Sequence, residues 1–205
     1  MSETLIIFSR YPEPGKTKTR IIPALGAAGA AALQRQMTEH TLNTAQQLLS
    51  ERDLKLEVHF SGGDQQLMAQ WLGADLTYIS QASGDLGHKM RSAFERAFEL
   101  GNQRVLIIGI DCPDINQAIL NQAFDSLQNQ DLVLGVAADG GYYLIGLNQT
   151  YYQLFNNIDW GTDQVLNQTK NIASKLKLDV GYLRPLSDVD RPEDLPIWQK
   201  YVDVE

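Results

Sequence analysis

Short unbroken apolar blocks alternate with longer stretches in which apolar residues recur every three or four positions. Leu5, Ile6, Ile7 and Phe8 form one such block, and Val105, Leu106, Ile107 and Ile108 another. Blocks of this length, rich in branched side chains and bounded by polar residues, predict buried strands. The alternation of Leu54, Leu56, Val58 and Phe60 predicts a half-buried strand over 54–60. The same signals predict strands at 76–79, 132–136, 142–147 and 176–182. Between them, Leu33, Met37, Leu42, Ala45 and Leu49 predict a helix over 26–49. Leu86, Met90, Phe94, Ala97 and Phe98 predict another over 85–100, stopped by Gly101. Further helices are expected at 64–72, at 116–127, from Thr162 to about Ala173, and after Pro192 around Trp198.

Strands that alternate with helices imply an α/β fold, a mostly parallel central sheet with helices on both faces. No repeat, low-complexity tract or linker composition interrupts the pattern, so one domain over 1–205 is expected. In such a sheet ligands bind beyond the carboxyl ends of the strands, where the strand order reverses. Three chemically distinctive places fall there: residues 10–20 after the first strand, Asp111 after the strand at 105–108, and Asp139 in the turn after Val136.

Charge sharpens this picture. The net charge is −8, unlike a protein that coats nucleic acid. Yet residues 9–20 carry Arg10, Lys16, Lys18 and Arg20 against Glu13 alone, a basic island suited to a small polyanion. One cysteine, Cys112, excludes an intramolecular disulfide. The N-terminus lacks a basic start with a long apolar run, and no stretch nears the ~20 apolar residues of a membrane span. A cytoplasmic protein is expected.

Gly15-Lys16-Thr17 resembles part of a P-loop, but Arg10 stands where that loop requires glycine. Pro12 and Pro14 also remove two backbone donors, so phosphate would be gripped by Arg forks and Lys point charges. Asp111, followed by Cys112-Pro113, is a hard oxygen ligand suited to Mg or Mn, or else a cap of a turn or of the next helix. Cys112 reads as a small packed residue. Asp139-Gly140-Gly141 is a hairpin-turn signal, and also a place where backbone can approach a ligand while Asp139 accepts hydrogen bonds from hydroxyls. Asp190 can cap the terminal helix with Glu193, or Asp188 or Asp190 can reach the metal of Asp111. His40, His59 and His88 lack metal-ligand spacing. Trp160 offers either a stacking ring or a core residue.

The segments Tyr11-Pro-Glu-Pro-Gly-Lys-Thr-Lys-Thr-Arg20, Ser83-Gly-Asp-Leu-Gly87, Gly109-Ile-Asp-Cys-Pro113, Asp139-Gly-Gly-Tyr-Tyr-Leu-Ile-Gly146, Trp160-Gly-Thr162 and Asp188-Val-Asp-Arg-Pro-Glu-Asp-Leu195 together span nearly the whole chain. In this order they resemble an uncharacterised bacterial family of glycosyltransferase-like proteins, the DUF2064 type, also called the arsenosugar-biosynthesis or radical-SAM-associated transferase family. Gly135-Val136-Ala137 departs from it, where the family usually has Gly-Pro-Ala.

The resemblance implies the nucleotide-diphospho-sugar transferase fold, a GT-A-like Rossmann variant. It implies a divalent metal (Mg or Mn) on Asp111 with help from Asp190, and a nucleotide-sugar or nucleotide plus a small-molecule acceptor as ligands. Glycosyl transfer is the expected reaction, with Arg10, Lys16, Lys18 and Arg20 at the diphosphate. Asp85, Asp139, Gly140, Gly141 and Trp160 would then meet the sugar or acceptor, with Asp139 as the one nameable base. Two alternatives share the fold: nucleotidyl transfer with pyrophosphate release, and a non-catalytic nucleotide-sugar binder.

Overall fold

A computed structural model describes residues 2–202. Among the described residues seven strands form one sheet: β1 (Glu3–Arg10), β2 (Leu54–Ser61), β3 (Thr77–Ser80), β4 (Arg104–Ile108), β5 (Leu132–Ala137), β6 (Tyr142–Leu147) and β7 (Val180–Leu186). Their order is β3-β2-β1-β4-β6-β5-β7, and only β6 runs against the others. The helices are α1 (Ile22–Leu48), α2 (Gln65–Leu72), α3 (Leu86–Glu99), α4 (Gln117–Ser126), α5 (Val165–Lys175) and α6 (Leu195–Val202). The expected mostly parallel sheet with helices on both faces is thus the observed one, with β6 as its one antiparallel strand.

Alternation along β1 divides the core. Leu5 and Ile7 pack with Leu33 and Met37 of α1, Leu120 and Phe124 of α4, and Trp198 of α6. Ile6 turns to the other face and meets Met90, Phe94 and Ala97 of α3. All of these are buried, and those other than Leu33, Met90, Ala97 and Trp198 have no exposed surface, each such side chain contributing about 1.5–3 kcal/mol.

Helix starts follow their side chains. Asp64, Asp85 and Asn116 cap α2, α3 and α4 by accepting from the backbone N–H three residues on. Two expectations are corrected. Thr162 does not open α5; its hydroxyl accepts from Gln164 N–H at 3.3 Å within a turn, and the helix begins at Val165. The last strand lies at Val180–Leu186, because α5 continues to Lys175 and Lys177 turns the chain with φ 56°. Pro185 is tolerated there because β7 is an edge strand whose register shifts at that point.

Beneath the sheet's α3 face lies a buried ionic group. Glu57 accepts from Arg96 Nη1 at 2.9 and 3.2 Å and lies 2.9 Å from His59 Nε2. Burial raises the Glu57 pKa, but the His59 and Arg96 hydrogen bonds outweigh it and hold the carboxyl below its ordinary value. A depressed folded pKa stabilises above the unfolded value near ~4.3, and that stability is lost as pH falls through the folded pKa. Glu57→Gln should therefore cost about 2 kcal/mol at neutral pH, and urea denaturation from pH 7 to 3 should show a shallower acid loss than in the parent.

Candidate functional site

The crevice opens between β1 and β4. These strands pair from Glu3↔Arg104 to Ile7↔Ile108. Beyond that point β1 continues to Arg10 beside β2, while β4 ends and Gly109 N–H donates to Tyr143 O at 3.2 Å. The chain after β4 therefore turns away from β1, and Asp111 emerges at the reversal of strand order. Its carboxylate is half exposed (50%). It does not cap α4, because Asn116 does so.

Lys18 fills the near side of this crevice. Its side chain is 4% exposed, and Nζ donates to Asp111 Oδ1 and, at 2.5 Å, to Val189 O. Val189 N–H in turn donates to Asp111 O at 2.8 Å, tying the loop before α6 to the end of β4. Lys18 adopts the left-handed conformation, φ 46° and ψ 44°, which costs a residue with a side chain about 1–2 kcal/mol. The hydrogen bonds that its ammonium donates to Asp111 and Val189 offset that strain. Arg20 forms an ion pair with Asp190, whose carboxylate, first through its hydrogen bond and then its charge, raises the guanidinium pKa.

Asp190 is free to do this because it does not cap the terminal helix. Asp194 reaches back instead, accepting from Arg191 N–H at 2.8 Å and Asp190 N–H at 3.1 Å. The expected partnership of Asp190 with Glu193 is corrected accordingly.

Three cavities share Asp111. The first, about 340 Å³, includes Arg10, Gln34, Ser61, Gln81 and Lys89. The second, about 210 Å³, includes Asp139, Gly141, Trp160 and Asp188. The third, about 270 Å³, holds Lys18, Thr19, Arg20, Gln34 and Asp190. Seven expected residues thus gather round the crevice with Asp111: Arg10, Lys18, Arg20, Asp139, Gly141, Trp160 and Asp190.

Three others stand apart. Asp85 caps α3 through His88 N–H at 2.8 Å and faces a separate surface hollow with His88 and Arg91. Lys16 is two-thirds exposed and pairs with Glu13 at 2.7 Å, although its carbonyl accepts from Arg10 Nη1 at 2.8 Å and so orients that arginine. Gly140 packs against the backbone of Asp163, whereas Gly141 lines the second cavity.

Sequence reasoning missed Gln34, Ser61, Gln81 and Lys89. Gln34 carried one signal, a polar residue amid the apolar face of α1; it is buried and its Nε2 donates to Arg10 O at 3.1 Å. Gln81 follows a short edge strand with no motif about it; its Nε2 donates to His59 O at 3.0 Å.

Asp111, Asp139 and Asp188 are the carboxylates that could hold a cation here. Burial, followed by the Asp139 charge and with Asp194 and Asp111 adding to it, pushes the Asp188 pKa up. Such mutual repulsion is what a divalent ion relieves. Among the described residues no three His, Cys, Asp or Glu side chains form a ligand cage, so phosphate and water would complete the shell. Asp188 lies in the Asp111–Asp139 cavity, while Asp190, expected to be the second ligand, is engaged by Arg20. Cys112 is buried; burial, then Asp188 and its neighbours, push its thiol pKa up, which fits a packed residue.

This strand order, with the crevice at its switch point, defines the nucleotide-diphospho-sugar transferase fold. The chain belongs to the DUF2064 family, described as an uncharacterized protein conserved in bacteria, whose profile matches residues 41–162. A candidate nucleotide-diphospho-sugar transferase from Desulfovibrio desulfuricans G20 is 32% identical over all of this chain and 90% of its own, with a TM-score of 0.90. More distantly, CMP:2-keto-3-deoxy-manno-octonic acid synthetase complexed with CTP shares 10% identity, with 99% of both chains covered and a TM-score of 0.63. Rv0371c from Mycobacterium tuberculosis H37Rv, in complex with manganese, shares 14% over all of this chain and 99% of its own, TM-score 0.55. The last two share the fold alone. Comparison with curated proteins finds no match. Among the described residues no helix is long and apolar enough to cross a membrane.

Proposed function

We propose that this protein is a metal-dependent transferase acting on a nucleotide-sugar, moving the glycosyl group to a small acceptor. The observation that carries this reading is the convergence of Asp111, Lys18, Arg20 and Asp190 at the sheet's switch point, between a basic and an acidic cavity. Arg10 and Lys89 of the first cavity would hold the nucleotide side. Lys18 and Arg20 would exchange their carboxylate partners for the diphosphate oxygens. Asp111 with Asp188 would hold Mg or Mn, which when bound neutralises charge on the leaving diphosphate. Asp139 would accept a proton or hydrogen bond from an acceptor hydroxyl; one of its oxygens already takes Gly141 N–H at 2.9 Å.

The first loop favours glycosyl over nucleotidyl transfer. Its N–H groups at Tyr11, Glu13 and Lys16 donate to Ser61, Tyr11 and Glu13 carbonyls, so they are committed to the loop rather than offered to a triphosphate. The candidate transferase from D. desulfuricans supports the same substrate class.

A thermal-shift screen of nucleotides and nucleotide-sugars, each with and without Mn²⁺, tests the proposal. The right donor at a hundredfold its Kd adds about 2.7 kcal/mol, or about 5–10 °C for a chain this size, and only with the metal. The active donor should release a nucleoside mono- or diphosphate. Pyrophosphate release from a triphosphate would instead establish nucleotidyl transfer, and tight binding without turnover across acceptors would establish a binding protein.

A further inference from the structure

The cavities around Asp111 differ in the charge they present. The first sets Arg10 and Lys89 against Asp111, and the third sets Lys18 and Arg20 against Asp111 and Asp190. The second is lined by Asp111, Asp139 and Asp188 and, among the described residues, by no Lys, Arg or His. Its other distinctive surface is Trp160, and this ring is held in place. Tyr142 meets it edge-on, with ring centroids 6.5 Å apart. On another side it lies directly on Gly87 at the start of α3, where a Cβ would come within 2.6 Å of the ring carbon Cε2.

We propose that this second cavity seats an uncharged or amine-bearing polyhydroxylated ring, and rejects ligands that carry a phosphate or carboxylate away from the reacting carbon. The proposal rests on the transferase reading and deepens it by naming the substrate class. An indole face offers apolar contact to the C–H face of a sugar ring, while an ionised carboxylate is an acceptor only and takes hydrogen bonds from hydroxyls or ammonium. Among the described residues Asp139 has one such oxygen to spare, because it is Oδ1 that is tied to Gly141 N–H. With a metal on Asp111 and Asp188, a ligand phosphate beside Trp160 would still face the Asp139 carboxylate, with no Lys, Arg or His among the described lining residues to receive it. The volume, about 210 Å³, is below the ~300 Å³ lower end of drug-sized sites and suits a single ring.

Trp160 supplies the readout. Its indole N–H resonance, identified by its loss in Trp160→Phe, is followed by NMR with Trp71 and Trp198 as internal controls outside the cavity. The protein with UDP and Mg²⁺ is titrated at constant ionic strength, near pH ~6.5 where an amine is charged, with glucose, glucosamine, glucose 6-phosphate and glucuronate. Glucosamine and glucose should move the Trp160 signal. Glucose 6-phosphate and glucuronate should need at least about tenfold higher concentration. Asp139→Asn, which keeps the acceptor for Gly141 N–H, should shrink both the preference for glucosamine and the rejection of the anions.

A UDP-glucose·Mg²⁺ arm separates two sources of the ring, the donor's own sugar or a free acceptor, and a shift from either supports the proposal. Equal response to glucose 6-phosphate and glucosamine overturns it, as does a Trp160 signal that no ring moves. The titrations are repeated without nucleotide. A failure of UDP·Mg²⁺ to bind would then count against the transferase reading, while the charge preference at Trp160 is still read.

Discussion

Asp111→Ala should lower donor turnover by about 10²–10³-fold and weaken Mn²⁺ binding in the presence of nucleotide, because the one carboxylate shared by all three cavities is gone. It should also cost stability. The Lys18 ammonium is almost wholly buried and would keep only the Val189 carbonyl. Removing one partner of a buried pair costs about 3–5 kcal/mol, but Asp111 is half exposed and water can enter its place, so about 2 kcal/mol is expected. Asp111→Asn separates the two effects. Its amide oxygen can still accept from Lys18, so urea denaturation should show a smaller loss than in the alanine variant, while the lost negative charge removes turnover as fully as alanine does. Metal-dependent turnover surviving in Asp111→Asn would remove Asp111 from the metal and end the proposed mechanism.

That variant pair probes what the sequence made legible and what it left open. The apolar blocks at Leu5 to Phe8 and Val105 to Ile108 read as buried strands, and the strand-end rule then put residues 10–20 and Asp111 on the same edge of the sheet. Local chemistry could not say which carboxylates stay free. Asp64, Asp85, Asn116 and Asp190 all sit where a helix cap is chemically sound. Three of them do cap, while Asp190 yields that role to Asp194 and takes Arg20. The choice depends on how the loop before α6 lies against β4, through the Val189–Asp111 backbone bond across 78 positions of sequence, and no local pattern encodes that. Gln81 was invisible for a similar reason: its partner is a β2 carbonyl brought near only by strand pairing.

The same distinction separates the two glycines of the β5–β6 turn, which sequence alone grouped together. Gly140→Ala should destabilise the fold by about 3 kcal/mol or more, read as a lower urea midpoint with unchanged slope. Gly140 has φ +91°, and a Cβ there would overlap the Asp163 carbonyl oxygen and come within 2.7 Å of its Cα. Backbone atoms cannot rotate aside as a side chain can. The turn is also tied to the segment that carries Asp163, because Leu166 N–H at the start of α5 donates to Gly140 O at 2.9 Å. Gly141→Ala faces no such obstacle: its φ is outside the left-handed region, and its nearest neighbour would be the Asp139 carboxylate at 3.2 Å, which can shift. Its cost should stay below about 1 kcal/mol. Because Gly141 lines the second cavity, its methyl should instead disturb whatever Asp139 and Trp160 bind there. Equal destabilisation by the two variants would mean that the turn does not lean on Asp163. The placement of Asp139 at the edge of the cavity would then need another support.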